Sequence, residues 1–156
     1  MDIYIVEDDV SVISILEDII EDNDLGTVCG SSGETPADVE EILSKNPDII
    51  LVDFLMPEKD GVALVRELKE RGCKAKCIMI SQVSAKELIG KAYDAGMDFF
   101  ISKPINIIEV KSVIRNVTRQ IMNERTLSNI RKMFVAEMSE EQKEKRRERR
   151  WRERGR

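Results

Sequence analysis

Acidic and polar residues stand in this chain where apolar runs stop. Glu7, Asp8 and Asp9 follow Ile3–Val6, and Asp53 breaks the run Ile49-Ile50-Leu51-Val52 before Phe54-Leu55-Met56 resumes it. Ser81 follows Cys77–Ile80, and Lys103-Pro104 follows Asp98–Ile101. Each has an innocent explanation taken alone, because Asp and Ser often cap the helix after a strand, and Asp9 is well placed to do so. Three carboxylates, a hydroxyl and an ammonium at one edge are harder to explain as caps. Packed carboxylates repel and raise each other's pKa unless a cation compensates. With oxygen donors only and two or three carboxylates, the cation that suits such a group is Mg²⁺ keeping several waters. The chemistry that needs it is phosphoryl transfer: a carboxylate is a competent nucleophile toward phosphorus, and the moving group requires positioning and charge neutralisation. In that reading Asp53 attacks, Glu7 and Asp8 hold the metal, Lys103 offsets phosphoryl charge and Ser81 senses the product.

These residues share an edge only if the runs before them are parallel strands. Apolar β-prone runs do alternate with amphipathic segments every twenty to thirty residues or so, the pattern of repeated strand and crossover-helix units. The expected strands are Ile3–Val6, Thr27–Cys29, Ile49–Val52, Cys77–Ile80 and Asp98–Ile101, in an α/β, doubly wound parallel sheet with five helices. In such sheets ligands bind outside the carboxyl ends of the strands near the point where strand order reverses, a rule for which this fold type is itself a standing illustration. Helix starts are marked by Thr35-Pro36, a cap before a proline, and by Ser84-Ala85-Lys86-Glu87, a capping box. The third helix spans Gly61 to Arg71 and stops at Gly72, which suits a left-handed cap. Val12, Ile13, Leu16, Ile19 and Ile20 form the sheet-facing stripe of the first helix.

Composition narrows the function classes. The 156 residues, 42% hydrophobic, suffice for one core and an appendage. The chain holds no histidine, which excludes a Ser-His-Asp hydrolase and a histidine kinase. Cys29, Cys73 and Cys77 lack the partners of a zinc site and read as reduced or buried thiols. No apolar run approaches the roughly 20 residues of a membrane span, and Met1–Ile5 lacks a basic leader, so a cytoplasmic, non-membrane protein is expected. Residues 143–156 hold nine Lys/Arg and three Glu, net +6, which leaves −11 for residues 1–142 of a chain at −5.

Val6-Glu7-Asp8-Asp9, Asp53-Phe54-Leu55-Met56-Pro57 with Asp60-Gly61, Met79-Ile80-Ser81 and Lys103-Pro104-Ile105 together resemble the receiver domain of bacterial response regulators, over about residues 1–120. The resemblance implies a flavodoxin-like sheet of order 2-1-3-4-5. It also implies direct Mg²⁺ contacts from Asp8, Asp53 and the Leu55 carbonyl, with Glu7 acting through water, and a phosphohistidine on a sensor histidine kinase as donor. Phe100 stands where the family often has tyrosine, so switching between Ser81 and Phe100 is expected to be steric. Leu55 and Val83 occupy the positions that tune hydrolysis, and neither orients a water, so a long-lived phosphoryl group is expected. Glu21-Asp22-Asn23-Asp24-Leu25-Gly26, Met79-Ile80-Ser81-Gln82-Val83 and Phe99-Phe100-Ile101-Ser102-Lys103-Pro104-Ile105-Asn106 are similar to the receivers of glutamine-utilisation regulators of Firmicutes. Those regulators carry a DNA-binding domain. About 35 residues follow the receiver here, too few for one, so either the effector was lost or the chain is a fragment.

The expected organisation is a receiver at 1–121, a helical or coiled-coil extension at 122–142 and a basic charged tail at 143–156. Ile107, Val110, Ile114, Val117 and Ile121 step by three and four; a second apolar set resumes out of phase at Leu127, Ile130 and Phe134 and calls for a partner helix, hence a homodimer through the fifth helix and its extension. The tail is either a solvated helix end or disordered. An alternative has Arg146, Arg147, Arg149 and Arg150 meeting nucleic-acid phosphates, with Trp151 stacking on a base, although Glu144, Glu148 and Glu153 dilute that patch. A further alternative, a Mg²⁺-dependent aspartyl-phosphate phosphohydrolase, lacks its general acid, because Leu55 stands two residues after Asp53. The reading is therefore a phosphoacceptor for transcriptional regulation that catalyses only its own phosphorylation and slow dephosphorylation, not an enzyme acting on other substrates.

Overall fold

The computed structural model describes residues 1–33, 37–56, 60–82 and 86–155. Five strands alternate with five helices: β1 Asp2–Val6, α1 Val10–Asp22, β2 Thr27–Ser31, α2 Val39–Lys45, β3 Ile49–Asp53, α3 Gly61–Glu70, β4 Lys76–Ser81, α4 Lys86–Ala95, β5 Phe99–Ser102 and α5 Ile107–Arg154. All strand pairs are parallel, in the order β2-β1-β3-β4-β5. The chain divides into two compact units, Met1–Thr118 and Arg119–Arg156.

The order dictates which helices share a face. Parallel crossovers are right-handed, and the chain steps one way from β1 to β2 but the other way from β2 through β3 and β4 to β5. Helices α2, α3 and α4 therefore lie on one face and α1 on the other. Alternation along the strands matches this. Tyr4, Val6, Ile50, Val52, Cys77 and Met79 join Val39, Ile42, Leu64, Val65, Leu68 and Ala92 in one core. Ile3, Ile5, Ile49, Leu51, Ile78 and Ile80 are buried on the opposite side, where α1 buries Ile13, Leu16, Ile19 and Ile20. The first turns of α5 bury Val110, Ile114 and Val117. The central strand β3, buried at every residue, is apolar on both faces until Asp53.

Several boundaries differ from the sequence reading, each for a local reason. Helix α2 begins at Val39, not after Thr35: Asp38 is its N-cap, accepting the Glu40 N–H at 2.9 Å. Thr35 and Pro36 lie outside the described residues, as do Ser84 and Ala85 of the expected capping box. Strand β2 continues to Ser31 because the register shifts between Ile3 and Tyr4, setting Gly30 beside Tyr4, and a Cβ at Gly30 would strike the Tyr4 ring. Strand β5 starts at Phe99, since the Asp98 carboxylate turns to accept the Cys77 N–H at 2.9 Å. Asp9 caps α1 by accepting the Ser11 N–H at 2.9 Å, and Gly72, at φ +85°, follows the end of α3 as expected. The tail, left as helix or disorder by its composition, is helical to Arg154. Among the described residues no helix is long and apolar enough to cross a membrane.

Candidate functional site

Strand order reverses at β1, which lies between β2 and β3, so the crevice at the carboxyl ends of β1 and β3 is where a doubly wound sheet binds ligands. Glu7 and Asp8 leave β1 there, and Asp53 is the last residue of β3. One carboxylate oxygen from each of Glu7, Asp8 and Asp53 lies within 4.8 Å of the others, with Glu7 and Asp53 buried and Asp8 exposed. Lys103, just beyond β5, reaches across the end of the sheet. Its Nζ donates to Glu7 Oε2 at 2.9 Å and lies 3.4 Å from Asp53 Oδ2.

The backbone steers these side chains. Asp9 N–H donates to Glu7 Oε1 at 3.2 Å, and Leu55 N–H to Asp53 Oδ1 at 3.3 Å. Lys103 N–H donates to the Ser81 carbonyl at 2.9 Å, tying the end of β5 to that of β4. Asp60 caps α3 by accepting the Val62 N–H at 2.9 Å. Gly61 then lets the helix approach β3 closely, for a Cβ there would collide with the Asp53 carbonyl oxygen. Ser81 is buried at the end of β4, paired in register with Ser102. Phe100 is partly buried against the core. Leu55 is 63% exposed, and Val83 lies outside the described residues.

Among the described residues, three carboxylates face one ammonium at the site, a formal −2, in a crevice where Glu7 is 1% and Asp53 4% exposed. Burial pushes the Glu7 carboxyl up to about 7, with Asp53 adding to the rise against the lowering hydrogen bonds from Lys103 and Asp9. Burial pulls the Lys103 ammonium down, but the Glu7 hydrogen bond and the Asp53 and Glu7 charges outweigh it, so its pKa lies above the ordinary value. Lys103 therefore stays charged, and the carboxylates still lack positive charge. An all-oxygen donor set with surplus negative charge fits a hard divalent cation.

The basic tail is built differently. At about 100° per residue, Arg146, Arg147, Arg149 and Arg150 fall within roughly 160° of the circumference of α5, with Arg146 next to both Arg149 and Arg150, so they share one side of the helix. Trp151 is 82% exposed. Two residues have roles at the site that the sequence reading did not assign. Gly61 was visible only as part of a motif, and Glu109, whose carboxylate accepts from Ser102 beside Lys103, carries no spacing signal, because a seven-residue separation across a loop matches neither a strand nor a helix period.

A sheet of this order with acids at the ends of β1 and β3 and a lysine after β5 defines a class, and the comparisons agree with it. The family model described as response regulator receiver domain matches residues 3–115. The chain belongs to that family: it is a receiver domain of two-component response regulators, related to transcriptional regulators. The transcriptional regulatory protein GlnL of Bacillus subtilis (strain 168) is 40% identical over 131 residues, 83% of this chain and 41% of that protein. The chemotaxis protein CheY of the same organism is 30% identical over 112 residues, 72% of this chain and 92% of that protein. The chain thus spans about two fifths of the length of GlnL. Among solved structures, the signal receiver domain of a putative LuxO repressor protein from Vibrio parahaemolyticus shares the fold with a TM-score of 0.70 at 16% identity, covering 81% of this chain and 95% of that one.

Proposed function

We propose that this chain is the phosphoacceptor of a two-component phosphorelay, taking a phosphoryl group from a sensor histidine kinase onto Asp53 with Mg²⁺, in the cytoplasm. The observation that carries the proposal is the meeting of Glu7, Asp8 and Asp53 within 4.8 Å under the Lys103 ammonium. Asp8, Asp53 and the Leu55 carbonyl would hold the ion directly, and Glu7, already engaged by Lys103, would act through water. A Mg²⁺ ion held there would supply charge neutralisation for phosphoryl transfer. An Asp53 carboxylate oxygen attacks phosphorus, a P–O bond forms, and the P–N bond to the donor imidazole breaks; the imidazole nitrogen keeps the electron pair. Lys103 follows the charge onto the phosphoryl oxygens, and the Ser81 hydroxyl donates to one of them, with Phe100 filling the space its movement leaves.

The chain would catalyse only this transfer and its own slow dephosphorylation. Output would pass through a homodimer formed by α5 and its extension, serving transcriptional regulation. Exposure of Leu127, Ile130 and Phe134 on one helix favours a second copy of that helix as partner. Incubation with labelled acetyl phosphate and Mg²⁺ tests the central reading. Label confined to Asp53, absent in Asp53→Ala and on chelation, is expected; label elsewhere, or turnover of generic phosphate esters, overturns it.

A further inference from the structure

Lys103 is held by more than its own contacts. Its neighbour Ser102, the last residue of β5, donates twice to one side chain in the first turn of α5: Ser102 N–H to Glu109 Oε1 at 3.1 Å, and Ser102 Oγ to Glu109 Oε2 at 2.9 Å, with Oε1 a further 3.2 Å from the hydroxyl. The loop between is also fastened at its far end. Asn106 Oδ1 accepts the Ile108 N–H at 2.8 Å and the Glu109 N–H at 3.3 Å, which fixes the residue that bears the clamp. On the other side, Lys103 N–H is bonded to Ser81. Backbone on both sides of Lys103 is thereby set, and the ammonium is delivered between Glu7 and Asp53.

We propose that Glu109 is a positioning residue for Lys103, and that this clamp ties the ammonium to helix α5. The inference rests on the phosphoacceptor reading above. A lysine side chain has four rotatable bonds and selects its partners only as well as its Cα is placed. Ser102 is exposed and Glu109 half-buried, and the bonds between them face solvent, so water can replace either partner, and losing the clamp costs little stability. It does release the loop. Misplacement of a group by about 1 Å is enough to slow a reaction by up to roughly a hundredfold, so the clamp matters to rate far more than to folding. Because Glu109 belongs to α5, any shift of that helix is also felt at Lys103, and by linkage a shift of Lys103 toward a phosphoryl group is felt at α5.

The test uses the full chain with labelled acetyl phosphate and Mg²⁺, following the rate of Asp53 labelling alongside the thermal midpoint. Glu109→Ala is expected to slow labelling by roughly tenfold while the midpoint stays within a few degrees of the parent. Glu109→Gln, whose amide oxygen still accepts from Ser102, should recover most of the rate. In a Lys103→Ala background, followed over long incubation, Glu109→Ala should bring no further loss of labelling, since a residue acting through Lys103 has nothing left to position. An unchanged rate in Glu109→Ala, an equal loss with and without Lys103, or no rescue by Gln overturns the role of Glu109 while leaving the phosphoacceptor reading intact. Absence of Asp53 labelling in the parent chain overturns both.

Discussion

Residues around Asp53 act through neighbours that leave them little freedom. Gly61 is the clearest case, since a methyl group there meets the Asp53 carbonyl and the Val52 side chain. Gly61→Ala should destabilise the chain by about 1–3 kcal/mol, the ordinary cost of overpacking, and lower Asp53 labelling because α3 must withdraw from β3. Equilibrium unfolding together with labelling checks both effects. Leu55 acts differently. Its exposed aliphatic side chain offers no polar atom to hold a water near an Asp53 phosphoryl group, so the phosphoryl should persist, and Leu55→Asn should shorten its half-life severalfold or more. Loss of label from the isolated phosphorylated protein measures this, and a parent half-life of seconds would exclude a long-lived state. Cys77 offers a probe of folding: burial pushes its thiol up to about 12, so at pH 8 the thiolate is roughly one part in ten thousand. Iodoacetamide should spare Cys77 in the native chain and modify it only on unfolding.

At the scale of elements, the strands set where the side chains emerge and the helix caps set how they leave. Asp9, Asp38 and Asp60 each accept an N–H two residues on, and each loss should cost about 1 kcal/mol. Only Asp60 lies beside Gly61 and β3, so Asp60→Ala should also affect labelling, whereas Asp38→Ala should lower the thermal midpoint alone. Helix α5 is an element with two surfaces. Val110, Ile114, Val117 and Ile121 are buried, whereas every residue from Met122 to Gly155 is exposed. Leu127, Ile130 and Phe134 are therefore available to a second copy, and replacing Ile130 and Phe134 with Glu should abolish any dimer without loss of Asp53 labelling. Sedimentation with and without beryllofluoride decides this. A monomer under both conditions would exclude the dimer.

For the whole molecule, the division into Met1–Thr118 and Arg119–Arg156 puts the acidic crevice in one unit and the basic helix end in the other. A chain ending at Ile121 should fold and accept label at Asp53 at the parent rate, because each strand and each site contact lies before that point. Thermal denaturation and labelling of the shortened chain test it. The tail carries opposite charge to the body, and nucleic-acid binding through Arg146, Arg147, Arg149, Arg150 and Trp151 would have to weaken steeply with salt. Binding that ignores salt, or survives deletion of 143–156, would dismiss that reading.

The amino-acid sequence by itself determined the alternation of strands and helices, the apolar face of α1 and the polar residues at four strand ends, because those features are written in local periodicity and in single residue types at run boundaries. It did not determine the start of α2, which was expected after Thr35 and is capped instead by Asp38. Only the tertiary structure decided that Glu7 is buried and bonded to Lys103 while adjacent Asp8 is exposed, and that Glu109 holds the loop bearing Lys103. Adjacent acids are equivalent in a linear reading. Strand order and register bring β5 and its lysine 96 residues along the chain to Glu7, and that pairing distinguishes them.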